Sequence, residues 1–101
     1  MIKHALALLL AAPFAALAQS PDALQVRSLA ATCANCHGTD GRTLQGSPVA
    51  PLAGMPADYL LQQLRAFRDG SRPATVMHQI AKGYSEPQLQ QLASYFAAQK
   101  K

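Results

Sequence analysis

Both cysteines of the 101-residue chain lie in one run of five residues, Cys33-Ala34-Asn35-Cys36-His37. A Cys-x-x-Cys-His run is the sequence at which a c-type haem is attached to a protein. Residues three positions apart share one face of a helix, so the sulfurs of Cys33 and Cys36 can reach the two vinyl groups of one porphyrin. His37 follows directly and can bind the iron from one side of the ring. The run predicts a fold built around one covalently held haem.

Other roles for the two cysteines explain fewer features of this sequence than haem attachment does. A structural zinc site normally takes four Cys or His ligands, and no second Cys-x-x-Cys or His-x-x-x-His pair is present to complete the set. A thioredoxin-like dithiol would need a βαβ surrounding, whereas the flanking sequence indicates helices. A disulfide across so short a loop would stabilise the fold little. The dithiol and the disulfide also leave His37 unexplained.

The first eighteen residues have the pattern of a secretory signal peptide. Lys3 and His4 form a short basic region, an apolar run follows from Ala5 to Ala16, and Ala16-Leu17-Ala18 is an A-x-A cleavage site before Gln19. An uncleaved membrane anchor is the alternative, although the apolar run is short for a bilayer span. We therefore expect export to the bacterial periplasm, and no membrane span in the mature chain.

Residues 19–101 are predicted to form one small domain, in which the haem supplies much of the core. The chain carries nine Lys and Arg against five Asp and Glu, and loss of Lys3 together with two haem carboxylates would bring the charge close to neutral. Nucleic-acid binding has no supporting motif. Arg65, Arg68 and Arg72 form either a solvated helix face or a docking patch for an acidic redox partner.

The rest of the chain predicts about four helices and needs no strand. Ser20 as N-cap and Pro21 at the first helical position begin a helix that should continue into the Cys33 run. A long Gly- and Pro-containing loop over residues 38–55 should pack on the cofactor. The later helices are expected from Pro56 to Asp69, from Thr75 to Lys82, and from Ser85, which forms a capping box with Gln88.

Apolar residues at helical spacing identify the faces that should be buried. The predicted stripes are Leu60, Leu64 and Phe67 on the second helix, and Leu89, Leu92 and Phe96 on the last, where Ala93 and Ala97 permit close approach of another helix.

Met77 is the predicted sixth ligand of the iron. It lies forty residues after His37, where the chain has room to return on the other side of the ring. His78 is the alternative sixth ligand, which would give bis-histidine coordination. Adjacent helical residues point about 100° apart, so Met77 and His78 cannot both face the iron. Met77 should share a buried side with Ile80 and Ala81, which leaves His78 near the surface. Met55 is expected to pack in the core.

The free ring N–H of a metal-binding histidine usually donates to a carboxylate or to a backbone carbonyl. Pro48 and Pro51 lie in the loop that should cover His37, and the Pro51 carbonyl is the predicted acceptor.

From Ser20 onwards the sequence resembles the class I c-type cytochromes. The resemblance rests on the CANCHG run, the Pro-Leu-Ala-Gly turn at residues 51–54, Met77 and the aromatic-bearing last helix. It implies an all-α fold around one haem, with the first and last helices crossed against each other, and electron transfer with the iron held by His37 and Met77.

The stretch from Leu52 to Phe96, including RPATVMHQIAKGYS around Met77, is similar to the cytochrome subunit of flavocytochrome c sulfide dehydrogenase. That resemblance implies a single-haem subunit, not catalytic alone, that accepts electrons from an FAD-containing subunit oxidising sulfide. A free single-haem shuttle to a terminal oxidase or another reductase is the alternative, and a gas-binding haem protein with an open sixth position is a further one.

Overall fold

The computed structural model describes residues 20–101, so the predicted signal peptide lies outside the described residues. Within this range the chain is all-α, as predicted. The elements in chain order are α1 (Pro21–Ala31), α2 (Ala34–His37), a single 3₁₀ turn (Thr39–Gly41), α3 (Ala57–Asp69), α4 (Met77–Lys82) and α5 (Glu86–Ala97). None of the described helices is long and apolar enough to cross a membrane.

Two of the four predicted helix starts, the N-caps Ser20 and Ser85, are confirmed by their hydrogen bonds. The Ser20 hydroxyl accepts from the backbone N–H of Ala23 at 3.2 Å. At α5 the Ser85 hydroxyl accepts from the Gln88 N–H at 3.4 Å, and the Gln88 side chain accepts from the Ser85 N–H at 2.9 Å. These caps satisfy N–H groups that the first turn of a helix leaves without partners.

The prediction that the first helix continues into the Cys33 run is wrong. Helix α1 ends at Ala31, and the run continues as the separate short helix α2. The Thr32 hydroxyl donates to the Leu29 carbonyl at 2.7 Å and lies 2.7 Å from the Tyr84 hydroxyl. A threonine that bonds back to the preceding turn competes with regular helix geometry. The interruption between α1 and α2 therefore lies where a hydrogen bond joins the end of α1 to the segment before α5.

The core lies where α5 packs against α1 and α3. Its buried cluster consists of Ala30, Leu60, Leu92, Ala93 and Phe96. Leu89 is fully buried as well, so the predicted α5 stripe is confirmed. Small side chains at Ala30 and Ala93 permit close contact between α1 and α5, so the first and last helices pack against each other.

The loop between the 3₁₀ turn and α3 is fixed to the core by backbone hydrogen bonds. The Gly41 carbonyl accepts from the N–H groups of Leu52 at 2.9 Å and Ala53 at 3.1 Å, and the Gly54 N–H donates to the Phe96 carbonyl at 2.9 Å. The loop thus has a defined position relative to α5, although it has no regular secondary structure of its own.

Two of the three predicted surface arginines form ion pairs. Arg65 and Arg68 on α3 both contact the carboxylate of Glu86 at the start of α5, with Arg68 Nη2 lying 2.6 Å from Glu86 Oε2. The two guanidinium groups lower the pKa of Glu86 from its ordinary 4.5 to about 2, chiefly through the Arg65 hydrogen bonds. These arginines connect two helices, while Arg72 lies elsewhere, beside the cavity described next.

Candidate functional site

A cavity of about 420 Å³ lies between α2, the following loop, α3 and the segment that carries α4. This volume is in the range of ligand and cofactor sites. Apolar side chains form most of its wall. They include Val49, Leu52, Met55, Tyr59, Leu60, Leu64, Phe67, Val76, Met77, Ile80 and Phe96.

Cys33 and Cys36 both line this cavity, and their sulfurs are not bonded to each other. Cys33 is half-buried between α1 and α2, and this burial raises the pKa of its thiol. Cys36 is exposed. The four-residue helix α2 thus presents two thiols to one apolar space, as covalent attachment of a cofactor requires.

His37 also lines the cavity, and the hydrogen bond of its ring identifies its tautomer. Its Nδ1 lies 2.7 Å from the backbone oxygen of Ala50. A carbonyl oxygen can only accept, so Nδ1 carries the proton and Nε2 keeps a lone pair for a metal. The prediction that Pro51 supplies the carbonyl is wrong by one residue. Every residue has a carbonyl, so only the path of the loop decides which one meets the ring.

Met77 is the first residue of α4, is half-buried, and lines the same cavity as His37. Met55 lines it too and packs against the buried core, as predicted for a packing residue. The structure therefore brings the predicted Cys33, Cys36, His37 and Met77 to one site.

The predictions for the other side chains of α4 are partly wrong. Ala81 is fully buried, and Ile80 lines the cavity together with Met77. The sequence predicts His78 near the surface, yet its Nδ1 is buried and has no hydrogen-bond partner among the described residues. Helix α4 has only six residues, so packing against α3 decides which of its sides is covered. His78 is not among the residues that line the cavity.

The side chains of the cavity fit a haem. The apolar wall suits a porphyrin, the two thiols suit its vinyl groups, and the His37 Nε2 and the Met77 thioether are iron ligands of the kind found in cytochromes. In the described part of the chain, no three His, Cys, Asp or Glu side chains cluster as a metal site.

Sequence reasoning missed one part of this site, the contact of Arg72 with α3. The guanidinium carbon lies 4.6 Å from the centre of the Phe67 ring, and Nη1 donates to the Gln63 side chain. All three residues line the cavity. The spacing of Gln63 and Phe67 at i and i+4 was a usable signal, but only the turn after α3 brings Arg72 back over them.

Comparison with known proteins gives consistent matches. The sequence matches the protein-family model of Cytochrome c over residues 25–99. It is 40% identical to cytochrome c-554(548) of Halomonas halodenitrificans over 67% of this chain and 84% of that protein. It is also 40% identical to the cytochrome subunit of sulfide dehydrogenase of Chlorobaculum tepidum, over 67% of this chain and 60% of the relative.

Other similar proteins are longer than this chain. The thiosulfate dehydrogenase electron acceptor of Thiomonas intermedia is 45% identical over 67% of this chain, which corresponds to 31% of the relative. A solved structure of cytochrome c4 from Acidithiobacillus ferrooxidans superposes with a TM-score of 0.69 at 31% identity, over 77% of this chain and 50% of that one. The chain thus spans about a third to four-fifths of the length of these proteins.

Proposed function

The chain belongs to the cytochrome c family, and we propose that it accepts electrons from the flavoprotein subunit of a sulfide dehydrogenase. Family membership and the site support two broader statements. The chain binds a covalent haem c, and it functions in electron transfer. The donor, the residues that hold the haem, and the cellular location belong to the proposal.

We assign the haem contacts to the residues that the sequence predicts. Cys33 and Cys36 form the thioether bonds, His37 Nε2 binds the iron, and Met77 closes the sixth position. The supporting observation is that one cavity contains all four side chains, with His37 already in the tautomer that a metal requires. When bound, haem supplies an iron that changes between Fe(III) and Fe(II).

The chain itself supplies a dry environment and a fixed ligand set. Leu52, Leu64, Phe67 and Phe96 line the cavity and exclude water, so the enclosed site reorganises little when its charge changes by one. The Ala50 carbonyl fixes the orientation of the His37 ring. A soft thioether from Met77 favours the reduced state of the iron, and it leaves no position for substrate.

Two observations favour a sulfide dehydrogenase as the source of the electrons. The stretch from Leu52 to Phe96 is similar to that cytochrome subunit, and a relative of this name is 40% identical. The proposed location is the periplasm, after cleavage of residues 1–18. There the cytochrome would be the electron-transfer subunit and would have no catalytic activity of its own.

A free single-haem shuttle is the second candidate function. The cytochrome c-554(548) relative favours it, because the match extends over 84% of that protein, which is itself of similar size. The thiosulfate dehydrogenase electron acceptor suggests a different donor for such a shuttle. These functions differ in partner, and the haem site would be the same.

The test is a reconstituted electron transfer. Holoprotein purified from the periplasm is first checked by haem stain and by intact mass, which should equal residues 19–101 plus one haem. It is then mixed with sulfide and the sulfide dehydrogenase flavoprotein of the same organism, and haem reduction is followed by stopped-flow absorbance. Oxidation of sulfide to zero-valent sulfur releases two electrons, so two haems should be reduced per sulfide.

Matched controls separate the candidates. One omits the flavoprotein, since sulfide can reduce haem slowly without it, and another replaces flavoprotein and sulfide with thiosulfate dehydrogenase and thiosulfate. Fast reduction that depends on the flavoprotein supports the proposal. Reduction only by thiosulfate dehydrogenase, or by neither enzyme, would exclude the proposed donor while leaving the haem assignment intact.

A further inference from the structure

We propose that Thr32 and Tyr84 are positioning residues for Met77, because their hydrogen bond restrains α4 and so keeps the thioether on the iron. The inference rests on the proposed ligation of the iron by His37 and Met77. The structure places these two ligands on different segments, since His37 ends α2 and Met77 begins α4. An external ligand can reach the iron only when Met77 leaves it. A contact that joins the two segments therefore controls that step.

The donor and the acceptor of this hydrogen bond follow from the other bond that Thr32 makes. The Thr32 hydroxyl lies 2.7 Å from the Leu29 carbonyl, which can only accept, so the single hydroxyl hydrogen of Thr32 points there. In its 2.7 Å contact with Tyr84 the Thr32 oxygen therefore accepts, and the Tyr84 O–H donates. Removal of either hydroxyl should abolish the contact, whereas Thr32→Ser keeps the accepting oxygen.

The two ends of the bond lie beside the two parts of the ligand set. Thr32 lines the cavity, and its Oγ1 lies 3.9 Å from Cys33 Sγ. Tyr84 follows α4 and its C-cap, and the Tyr84 N–H donates to the Ala81 carbonyl at 3.3 Å. Cys33 and Tyr84 also pack against the same buried core cluster. The bond therefore joins the haem-attachment segment to the end of the helix that begins with Met77.

Helix α4 has little else to hold it to that segment. It has six residues, too few for a helix to be stable alone, and it packs against α3. Among residues 20–101, the bond from Tyr84 to Thr32 is the one hydrogen bond between residues 20–38 and residues 75–84. A short segment with few connections opens locally at a lower cost than the core does. Loss of this bond should increase the fraction of molecules in which Met77 has left the iron.

The test is imidazole binding to the oxidised holoprotein, followed by stopped-flow absorbance. At high imidazole concentration the binding rate reaches a limit, which is set by the departure of Met77 from the iron. Tyr84→Phe and Thr32→Val each remove the bond, and we expect limiting rates about two- to tenfold above wild type, as for the loss of one hydrogen bond. The double variant should be no faster than Thr32→Val alone, and Thr32→Ser should keep the wild-type rate.

Tyr95→Phe is the matched control. The Tyr95 hydroxyl donates to the Asp40 carboxylate and joins α5 to the 3₁₀ turn, so its removal also costs one tyrosine hydrogen bond but leaves α4 untouched. Equal acceleration in Tyr95→Phe would mean that imidazole binding reports only the free energy of unfolding of the whole protein. A wild-type rate in Tyr84→Phe would mean that the bond does not restrain Met77. Either result would overturn the proposal.

Hydrogen exchange separates this restraint from the assignment of Met77 as the ligand. The N–H groups of Gly83 and Tyr84 donate to carbonyls of α4, so both amides exchange when the end of this helix opens, whichever residue binds the iron. Measured by NMR on the reduced holoprotein, they should exchange faster in Tyr84→Phe than in Tyr95→Phe, and equal exchange would refute the restraint. A wild-type spectrum without the absorption band of a thioether–Fe(III) bond would instead refute Met77 as the ligand, and with it the proposal.

Discussion

Gly41 connects the loop over the haem site to the core, and Gly41→Ala tests that connection. Its φ is +77°, where an L side chain is strained, and a Cβ at this position would lie 2.8 Å from Leu52 Cβ and 2.9 Å from Phe96 Cδ1. Gly46, in the same loop, has φ +82°, but a Cβ added there would meet no atom within 4 Å. The two glycines therefore share a backbone conformation and differ in the space around them.

The expected cost follows from these two features. A left-handed conformation costs a non-glycine residue about 1–2 kcal/mol. An added methyl group in a packed site costs about 1–3 kcal/mol more. Gly46→Ala should thus destabilise the protein by about 1–2 kcal/mol, and Gly41→Ala by about 2–5 kcal/mol.

The assay is guanidinium chloride unfolding of the two holoproteins, followed by far-ultraviolet circular dichroism. With a slope of about 3 kcal/mol per molar for a domain of this size, the two midpoints should lie about 0.3–1 M apart, with Gly41→Ala lower. Equal midpoints would mean that Leu52 and Phe96 move away from the added Cβ with no loss in the free energy of unfolding, which would refute the packing argument.

Two further predictions concern the sixth ligand and acid stability. Met77→Ala should lower the reduction potential and allow CO to bind the reduced protein, as measured by spectroelectrochemistry with Met55→Ala as control; an unchanged spectrum and potential would exclude Met77 as ligand. Because the pKa of Glu86 is lowered to about 2, its ion pairs contribute stability that is complete above about pH 4.5 and is lost as the pH falls through about 2. The difference in unfolding midpoint between wild type and Glu86→Gln should shrink over that interval, and a difference independent of pH would contradict the assignment.

Most of the fold was predictable because its signals are local. Ser20 and Ser85 begin helices through hydrogen bonds to residues three positions away. The stripe of Leu89, Leu92 and Phe96 identifies the buried face of α5 from its period alone. The break after Ala31 was not predictable, since the Thr32 hydroxyl also meets Tyr84, a residue distant in sequence.

In the candidate site, too, the features that depend on neighbouring residues could be predicted, and those that depend on long-range contacts could not. Cys33, Cys36 and His37 form a recognisable run because covalent attachment demands a fixed spacing, and Met77 could be selected from its distance to that run. The acceptor for His37 could not be selected, because the loop path determines which carbonyl arrives and Ala50 has no distinguishing side chain. The burial of the His78 Nδ1 likewise depends on how α4 packs against α3.

The sequence by itself determined the cofactor chemistry and the helices, since both depend on residues close together in the chain. Only the tertiary structure decided which partners the three arginines of α3 and the following turn contact. Arg65 and Arg68 pair with Glu86, while Arg72 stacks over Phe67 and lines the cavity. In the sequence the three are one basic cluster, and their different partners arise because the turn after α3 reverses the chain. Long-range contacts of this kind depend on packing, which no local pattern encodes.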